Sequence, residues 1–332
     1  MLTRTNSIEY LQMVCCSVGD ETYGLDMSLV KGVQGAEAIR QAREGQHIAG
    51  WLPTNRGDVP VVYLSSKLGR RTSFYNPEDQ ILVLDSAQGP FGLIIDRIRN
   101  VVNLTADNLF PLPGLVAGAE SLFQGVASIE GEMVLYASAA RLHPQAVSTD
   151  ENLSSGSSPF FSGADKRLTQ AVLQAEERMA DDPDRKSKGR VLFFSTADFY
   201  SSGRPLIFGL SLSQVLEITE PLSIVPVPGA PSYVLGLSNW RNNPVPMIDL
   251  NIRLRMGASS RGEGTCFLIV RAPGISDLVG FPIKPDARMQ ILPLANVPCD
   301  RDLPLDRSMT RGIFDLTNAT LVVPDMSRII RV

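Results

Sequence analysis

The chain is poor in the side chains that usually perform chemistry. Only two histidines, His47 and His143, occur among its 332 residues, and no serine has a base at a readable spacing. GxSxG, HExxH, P-loop and GxGxxG patterns are all absent. A non-catalytic protein with no cofactor is therefore expected. Of the four cysteines, Cys15 and Cys16 are adjacent, and Cys266 and Cys299 stand alone. None forms a C-x-x-C pair, so no zinc site is expected. They read as small buried apolar residues in a reducing compartment. Excess positive charge is also missing: 31 Lys and Arg against 35 Asp and Glu give a net charge of −4. A nucleic-acid partner would need a basic face and is not expected. No apolar run approaches the roughly 20 residues that span a bilayer. Residues Met1 to Tyr10 are polar and lack the apolar core of a signal peptide. The expected location is the cytoplasm, without direct membrane insertion.

What is present is a duplication. Residues 23–64 carry Tyr23-Gly24-Leu25, Val30, Asn55-Arg56, Pro60-Val61-Val62 and Leu64. Residues 208–250 carry Phe208-Gly209-Leu210, Val215, Arg241, Pro246-Met247-Ile248 and Leu250. The offset stays near about 185 residues, which marks an internal repeat rather than scattered matches. A hydrophobic content of 44% suits packed globular protein, and the length suits about two domains. The boundaries expected are 1–147, a linker at 148–188, and 189–332. The linker is expected to start near His143-Pro144, with His143 in it, and to be rich in Ser and Gly over 148–163. Within it, Leu168, Val172, Ala175 and Met179 predict an amphipathic helix over 165–182.

Both copies read as mainly β, with many short strands, frequent turn residues and a few short helices. A hairpin is expected over 12–26, with Gly19-Asp20-Glu21 at its turn. Ile81–Leu84 pairs with Phe91–Ile95, and Val101–Leu104 would extend that pairing. In the second copy, Phe267–Val270 pairs with Leu278–Ile283, and Gly312–Leu316 with Thr320–Val323. Asp249 would cap a helix over Leu250–Met256 that Gly257 closes. A further helical piece is expected over Ala36–Glu44. This pattern points to small β-barrels and against a parallel α/β sheet.

The second copy carries a specific constellation. Phe208-Gly209-Leu210 leads into Val215-Leu216-Glu217-Ile218, then Pro226, Pro231 and Gly236-Leu237-Ser238-Asn239-Trp240-Arg241. Val245-Pro246-Met247-Ile248-Asp249-Leu250 and Arg253-Leu254 follow. This order and spacing closely resembles the CheW family, the adaptor domains that couple bacterial chemoreceptors to the histidine kinase CheA. One departure is Asn242, where the family pattern has glycine. The first copy keeps less of the early pattern. It carries a downstream element, Ile81-Leu82-Val83-Leu84 and Gly92-Leu93-Ile94-Ile95-Asp96 with Val101, that is similar to the family's. Together the two copies cover about 270 of the 332 residues.

The resemblance implies two SH3-like five-stranded β-barrels per copy. It implies an adaptor or scaffold whose partners are a CheA-type kinase regulatory domain and a chemoreceptor's cytoplasmic tip, with recruitment to membrane receptor arrays. Partner contacts would fall on Val215, Glu217, Ile218, Asn239 and Arg241 in the second copy, and on Arg56, Asp96, Arg97 and Val101 in the first. Glu217 and Arg241 are the sharpest pair, since a carboxylate and a guanidinium make a directional contact. An ordinary surface ion pair worth about 0–1 kcal/mol is the plainer reading.

In the first copy, aligning Val30 with Val215 sets Gly32 where Glu217 stands, so Arg56 loses its counter-ion unless Glu37 replaces it. Tyr63 stands in the place of Asp249, and Trp51 matches Trp240. In the second copy, Lys284-Pro285-Asp286 replaces Asp96-Arg97-Ile98. The Pro221–Pro231 loop reads either as a polyproline ligand or as a rigid connection between strands. Two other functions stay open. One is a divergent scaffold of another chemosensory or surface-motility pathway that binds kinase but no standard receptor. The other is a nucleic-acid-binding SH3-like protein.

Overall fold

The computed structural model describes residues 10–42, 48–70, 76–116, 122–145, 190–197, 199–201, 203–257, 265–271, 278–285, 287–291, 297–298 and 303–331. The expected linker, its helix over 165–182, His47, Cys299 and Asp286 lie outside them. The chain divides into two compact units, built mainly from Met1–Leu112 with Ala117–Ala164 and from Asp165–Pro226 with Ala230–Val332. Each unit holds two sheets, and the second sheet is inserted in sequence within the first.

In the first unit, Leu11–Val18 and Glu21–Asp26 form the expected hairpin, closed by Gly19 at φ +61°. That positive φ suits a residue without a Cβ. A 3₁₀ turn, Met27–Leu29, then carries the chain to the other sheet, with Asp26 accepting from the Ser28 N–H at 2.8 Å. This inserted sheet runs Val30–Gly35, Gln80–Leu84, Phe91–Ile95, Gly57–Tyr63, Gly50–Thr54 and Arg40–Gln41 in spatial order. The chain returns through Arg97–Leu104, which pairs with Leu11–Val18. The stretch Val101–Leu104 therefore does not extend the Ile81–Leu84 hairpin; it belongs to the other sheet. Asp96 makes the crossing, its N–H donating to Ser17 O at 3.0 Å.

The second unit repeats these devices. Ser211 caps the crossing turn Leu212–Gln214 as Asp26 does, and the Lys284 N–H donates to Ser195 O at 2.7 Å as Asp96 does to Ser17. Pro285 follows at the crossing and lies between strands, where no ladder hydrogen bond is asked of it. Each of the four sheets has one parallel pairing among antiparallel ones, such as Val61 with Gly92 and Met247 with Gly280. Among the described residues, strand counts are six and six in the first unit, seven and six in the second. They exceed five because two-residue ladders such as Arg40–Gln41 and Ile224–Val225 join the edges. The latter lies within the Pro221–Pro231 loop, where it pairs with Leu237 and Ser238 as an edge of the sheet.

Helices are shorter than the sequence suggests. Of the helix expected over Ala36–Glu44, the described residues 36–42 hold a 3₁₀ turn, Ala36–Ala38, and the strand Arg40–Gln41. The helix after Asp249 spans Leu250–Arg253, with the carboxylate accepting from the Asn251 and Ile252 N–H groups. Tyr63 precedes the matching turn Leu64–Lys67 and makes no such cap.

A clasp closes each unit. In the second, Arg253 Nε donates to Ile329 O at 3.0 Å, and Nη2 reaches the carbonyls of Arg328 and Arg331. Its guanidinium also lies 4.3 Å from the centre of the Tyr233 ring. In the first unit, Lys67 Nζ makes the corresponding bond to His143 O at 3.3 Å. His143 is thus no linker residue. It is 2% exposed, meets Phe91 edge-on at 5.2 Å, and accepts from the Gln145 N–H through Nδ1. Burial, and secondarily the nearby Lys67 ammonium, holds its pKa below the ordinary 6.5. Cys15 and Cys16 are buried as expected, and burial pushes the Cys16 thiol up to about 12, whereas Cys266 is only partly buried.

Two predictions follow from this packing. A group held neutral in the fold lets the unfolded chain bind the extra proton, so its stabilising effect is present above pH 6.5 and lost as pH falls through the lowered value. Thermal unfolding between pH 7.5 and 5 should show wild type losing more stability than His143→Phe; equal slopes would refute the assignment. Gly236 has φ +143°, and a Cβ there would lie 2.3 Å from Val225 O. Gly236→Ala should lower stability by about 2 kcal/mol or more in urea unfolding.

Candidate partner-binding site

The site begins with an irregularity in an edge strand. Val215–Thr219 pairs with Cys266–Arg271, but the register shifts between Val215 and Glu217. Such a β-bulge re-aims the side chain that follows it. Val215 stays in the core at 3% exposure and underlies the surface rather than forming it. Glu217 emerges half-buried, and Ile218 is 44% exposed.

The opposite wall is the turn between Val234–Trp240 and Asn243–Ile248. Arg241 and Asn242 have φ +52° and +60°, the double left-handed conformation of a type I′ turn. Asparagine tolerates this where glycine is usual; for arginine it carries strain of about 1–2 kcal/mol. Asn243 steadies the turn, its Nδ2 donating to Arg241 O at 2.8 Å.

Glu217 and Arg241 meet as expected. Nε and Nη2 of the guanidinium donate to Glu217 Oε2 at 3.1 and 2.8 Å. Sequence reasoning missed the third donor. Trp240 Nε1 donates to the same Oε2 at 3.0 Å, and the Arg241 guanidinium lies 5.0 Å from the centre of the Trp240 ring. Trp240 is 3% exposed and packs with Leu216, Val245, Ile269 and Leu278. Its buried N–H needs an acceptor, which ties the core to the surface pair. The signal was legible in part: a tryptophan stands directly before the arginine, although the glutamate lies on the far edge strand of the same sheet, Val215–Thr219.

The first copy has the same bulge, between Val30 and Gly32, so Gly32 does occupy the Glu217 position, with open space where a side chain would project. The facing turn differs. Pairing of Trp51 with Pro60 and of Leu237 with Pro246 aligns Trp51 with Leu237 and Trp240 with Thr54. The two tryptophans are therefore not equivalent: Trp51 is 40% exposed, while Leu237 is fully buried. By the same register Arg241 aligns with Asn55, and Arg56 sits one place further on. The turn Thr54–Gly57 puts its positive φ at Gly57, not at the arginine. Arg56 has no ion-pair partner among the described residues, and Glu37 does not supply one. Arg40 instead pairs with Asp58 at 2.6 Å.

The remaining first-copy residues lie apart from this turn in the chain. Asp96 has a structural task, its carboxylate accepting from the Gly19 N–H at 2.7 Å. Arg97 and Val101 are exposed on the strand Arg97–Leu104, which lies at the end of its sheet, with Val101 at 51%. Asn239 is half-buried on the strand leading to Trp240. Among the described residues no group of three or more His, Cys, Asp or Glu could hold a metal ion.

Removing the shared acceptor should be costly in one copy only. Glu217→Ala leaves the Trp240 N–H unpaired and is expected to cost about 1–3 kcal/mol. Arg56→Ala should stay within about 0.5 kcal/mol. Urea unfolding of the full chain, followed by circular dichroism, separates the two; equal small effects would refute the coupling to Trp240.

Comparison with known proteins agrees with the duplication. The CheW-like domain matches residues 12–146 and again 199–332. The chain is 34% identical over 64 residues to the chemotaxis protein CheW of Helicobacter pylori, covering 19% of this chain and 39% of that protein. It is 26% identical over 121 residues to that of Klebsiella aerogenes, covering 36% and 73%. It is 22% identical over 137 residues to that of Rhizobium meliloti, covering 39% and 88%. Among solved structures, the scaffolding protein TtCheW from Thermoanaerobacter tengcongensis aligns at 20% identity and a TM-score of 0.38, over 43% of this chain and 100% of that one. With both halves matched in order, the chain belongs to the CheW-like domain family and carries that domain twice in tandem.

Proposed function

We propose that this chain is a non-catalytic adaptor of bacterial chemosensory signalling, coupling chemoreceptors to a CheA-type histidine kinase. The observation that carries this reading is the Glu217–Arg241 pair, held by Trp240 on the rim of a CheW-like domain. Three of the relatives are chemotaxis proteins, which supports the pathway. No described helix is long and apolar enough to cross a membrane, so recruitment to receptor arrays would run through the partners. In this reading the second copy contacts a partner through Glu217, Arg241 and Ile218, and the first through the exposed strand bearing Arg97 and Val101. Two sites on one chain raise effective concentration when both partners are held together. An adaptor with these contacts transmits a signal by binding one state of its partners more tightly than the other.

The bare bulge at Gly32 favours a second reading, a scaffold of another chemosensory or surface-motility pathway that engages the kinase without a standard receptor. A pull-down with a purified CheA regulatory domain and a receptor-tip fragment tests both. Wild type should bind both partners. Arg241→Ala should weaken at least one by about tenfold, a difference of about 1.4 kcal/mol, and Arg56→Ala should change neither. Kinase binding alone would favour the second reading. No binding to either partner by wild type would overturn the adaptor proposal.

A further inference from the structure

The Glu217–Arg241 contact is lopsided, and what it leaves open defines a ligand. All three donors, Arg241 Nε, Arg241 Nη2 and Trp240 Nε1, converge on Oε2. Among the described residues, Oε1 accepts no hydrogen bond and Nη1 donates none. The guanidinium has five N–H groups, of which two are used here. The side chains are 35% and 20% exposed, so these open groups can be reached from solvent yet are partly recessed. The pair therefore shows one strong acceptor beside strong donors while its net charge is zero.

We infer that this pair is a receptor site for a primary carboxamide, the side chain of an asparagine or glutamine on the partner. The inference rests on the adaptor reading above and names what that surface recognises. Oε1 would accept an amide N–H, and the free N–H groups of Arg241 would donate to the amide oxygen. Charge decides against ionic ligands: a partner carboxylate would meet Glu217, and a partner cation would meet Arg241, each at contact range. A neutral group with adjacent donor and acceptor meets no like charge. Geometry decides against a partner's main chain. In a trans peptide the N–H and C=O point in opposite directions, whereas a primary carboxamide has one N–H on the same side as its oxygen and can bridge both. Trp240 is the positioning residue, because its buried N–H sets which carboxylate oxygen is saturated and which stays open.

The chain has two tryptophans, so the Trp240 indole resonance can be assigned by Trp51→Phe and followed in proton–nitrogen spectra of the intact chain. Propionamide should shift it saturably. N-methylpropionamide, propionate and ethylguanidinium should shift it much less. The response should vanish in Glu217→Ala and be weakened in Arg241→Lys, which keeps the charge and guards against misfolding. An equal response to N-methylpropionamide would assign the site to main chain, and an equal or larger response to propionate or ethylguanidinium would make it an ion site; either result overturns the inference. So does the absence of any saturable shift. Receptor-tip or kinase binding without a propionamide response sinks this inference alone. A propionamide response without partner binding supports the site chemistry and sinks the adaptor reading instead.

Discussion

The buried indole N–H of Trp240 needs an acceptor, and Glu217 Oε2 at 3.0 Å supplies it. Leaving such a donor unpaired costs about 1–3 kcal/mol. That requirement pulls the carboxylate down onto the edge of the sheet and fixes one of its oxygens. The guanidinium of Arg241 then completes the arrangement from a turn that only a strained main chain can make. An exposed ion pair by itself would be worth little and would sample many geometries. Anchored on a core tryptophan, the same two side chains become a shaped surface with defined donors and acceptors.

The duplication isolates this effect, because the scaffold is kept while the surface is changed. Both copies bulge at the same place, cross between sheets through a capped 3₁₀ turn, and close with a cation reaching a main-chain carbonyl at the end of a short helix. The first copy has Gly32, Thr54 and a displaced Arg56 where the second has Glu217, Trp240 and Arg241. Losing the tryptophan removes the reason for a glutamate, and losing the glutamate leaves the arginine without a position to hold. The three changes are one change. The first copy keeps an exposed strand with Arg97 and Val101, so the two copies differ in chemistry more than in fold.

Most of the fold was legible in the sequence. Apolar runs between Gly and Pro signals located many of the strands in both copies, but not Gly50–Thr54 or Val234–Trp240, which fall in or beside stretches rich in turn and proline signals. What escaped had physical causes. Val101–Leu104 reads locally as the partner of the preceding hairpin, but Asp96 sends it to the other sheet through a main-chain bond to Ser17. Two-residue ladders leave no periodicity to detect. Within the site, Glu217 and Arg241 were found by pattern. Their geometry was not, because a one-residue offset between the bulge and the turn is invisible until the strands are in register. Trp51 looked like the counterpart of Trp240, but in register it takes the place of Leu237, three positions earlier, and is outward on the sheet while Trp240 is core.

If Trp240 organises the surface from beneath, it should matter to binding although it is almost wholly buried. Calorimetric titration of the full chain carrying Trp240→Phe against a receptor-tip fragment and a CheA regulatory domain tests this directly. The substitution keeps an aromatic ring in the core but deletes the N–H donor together with the indole's second ring, so circular dichroism must show the fold retained before affinities are compared. The account predicts affinity several-fold weaker than wild type for the partner that contacts Glu217, with the fold retained. Unchanged affinity for both partners would contradict it.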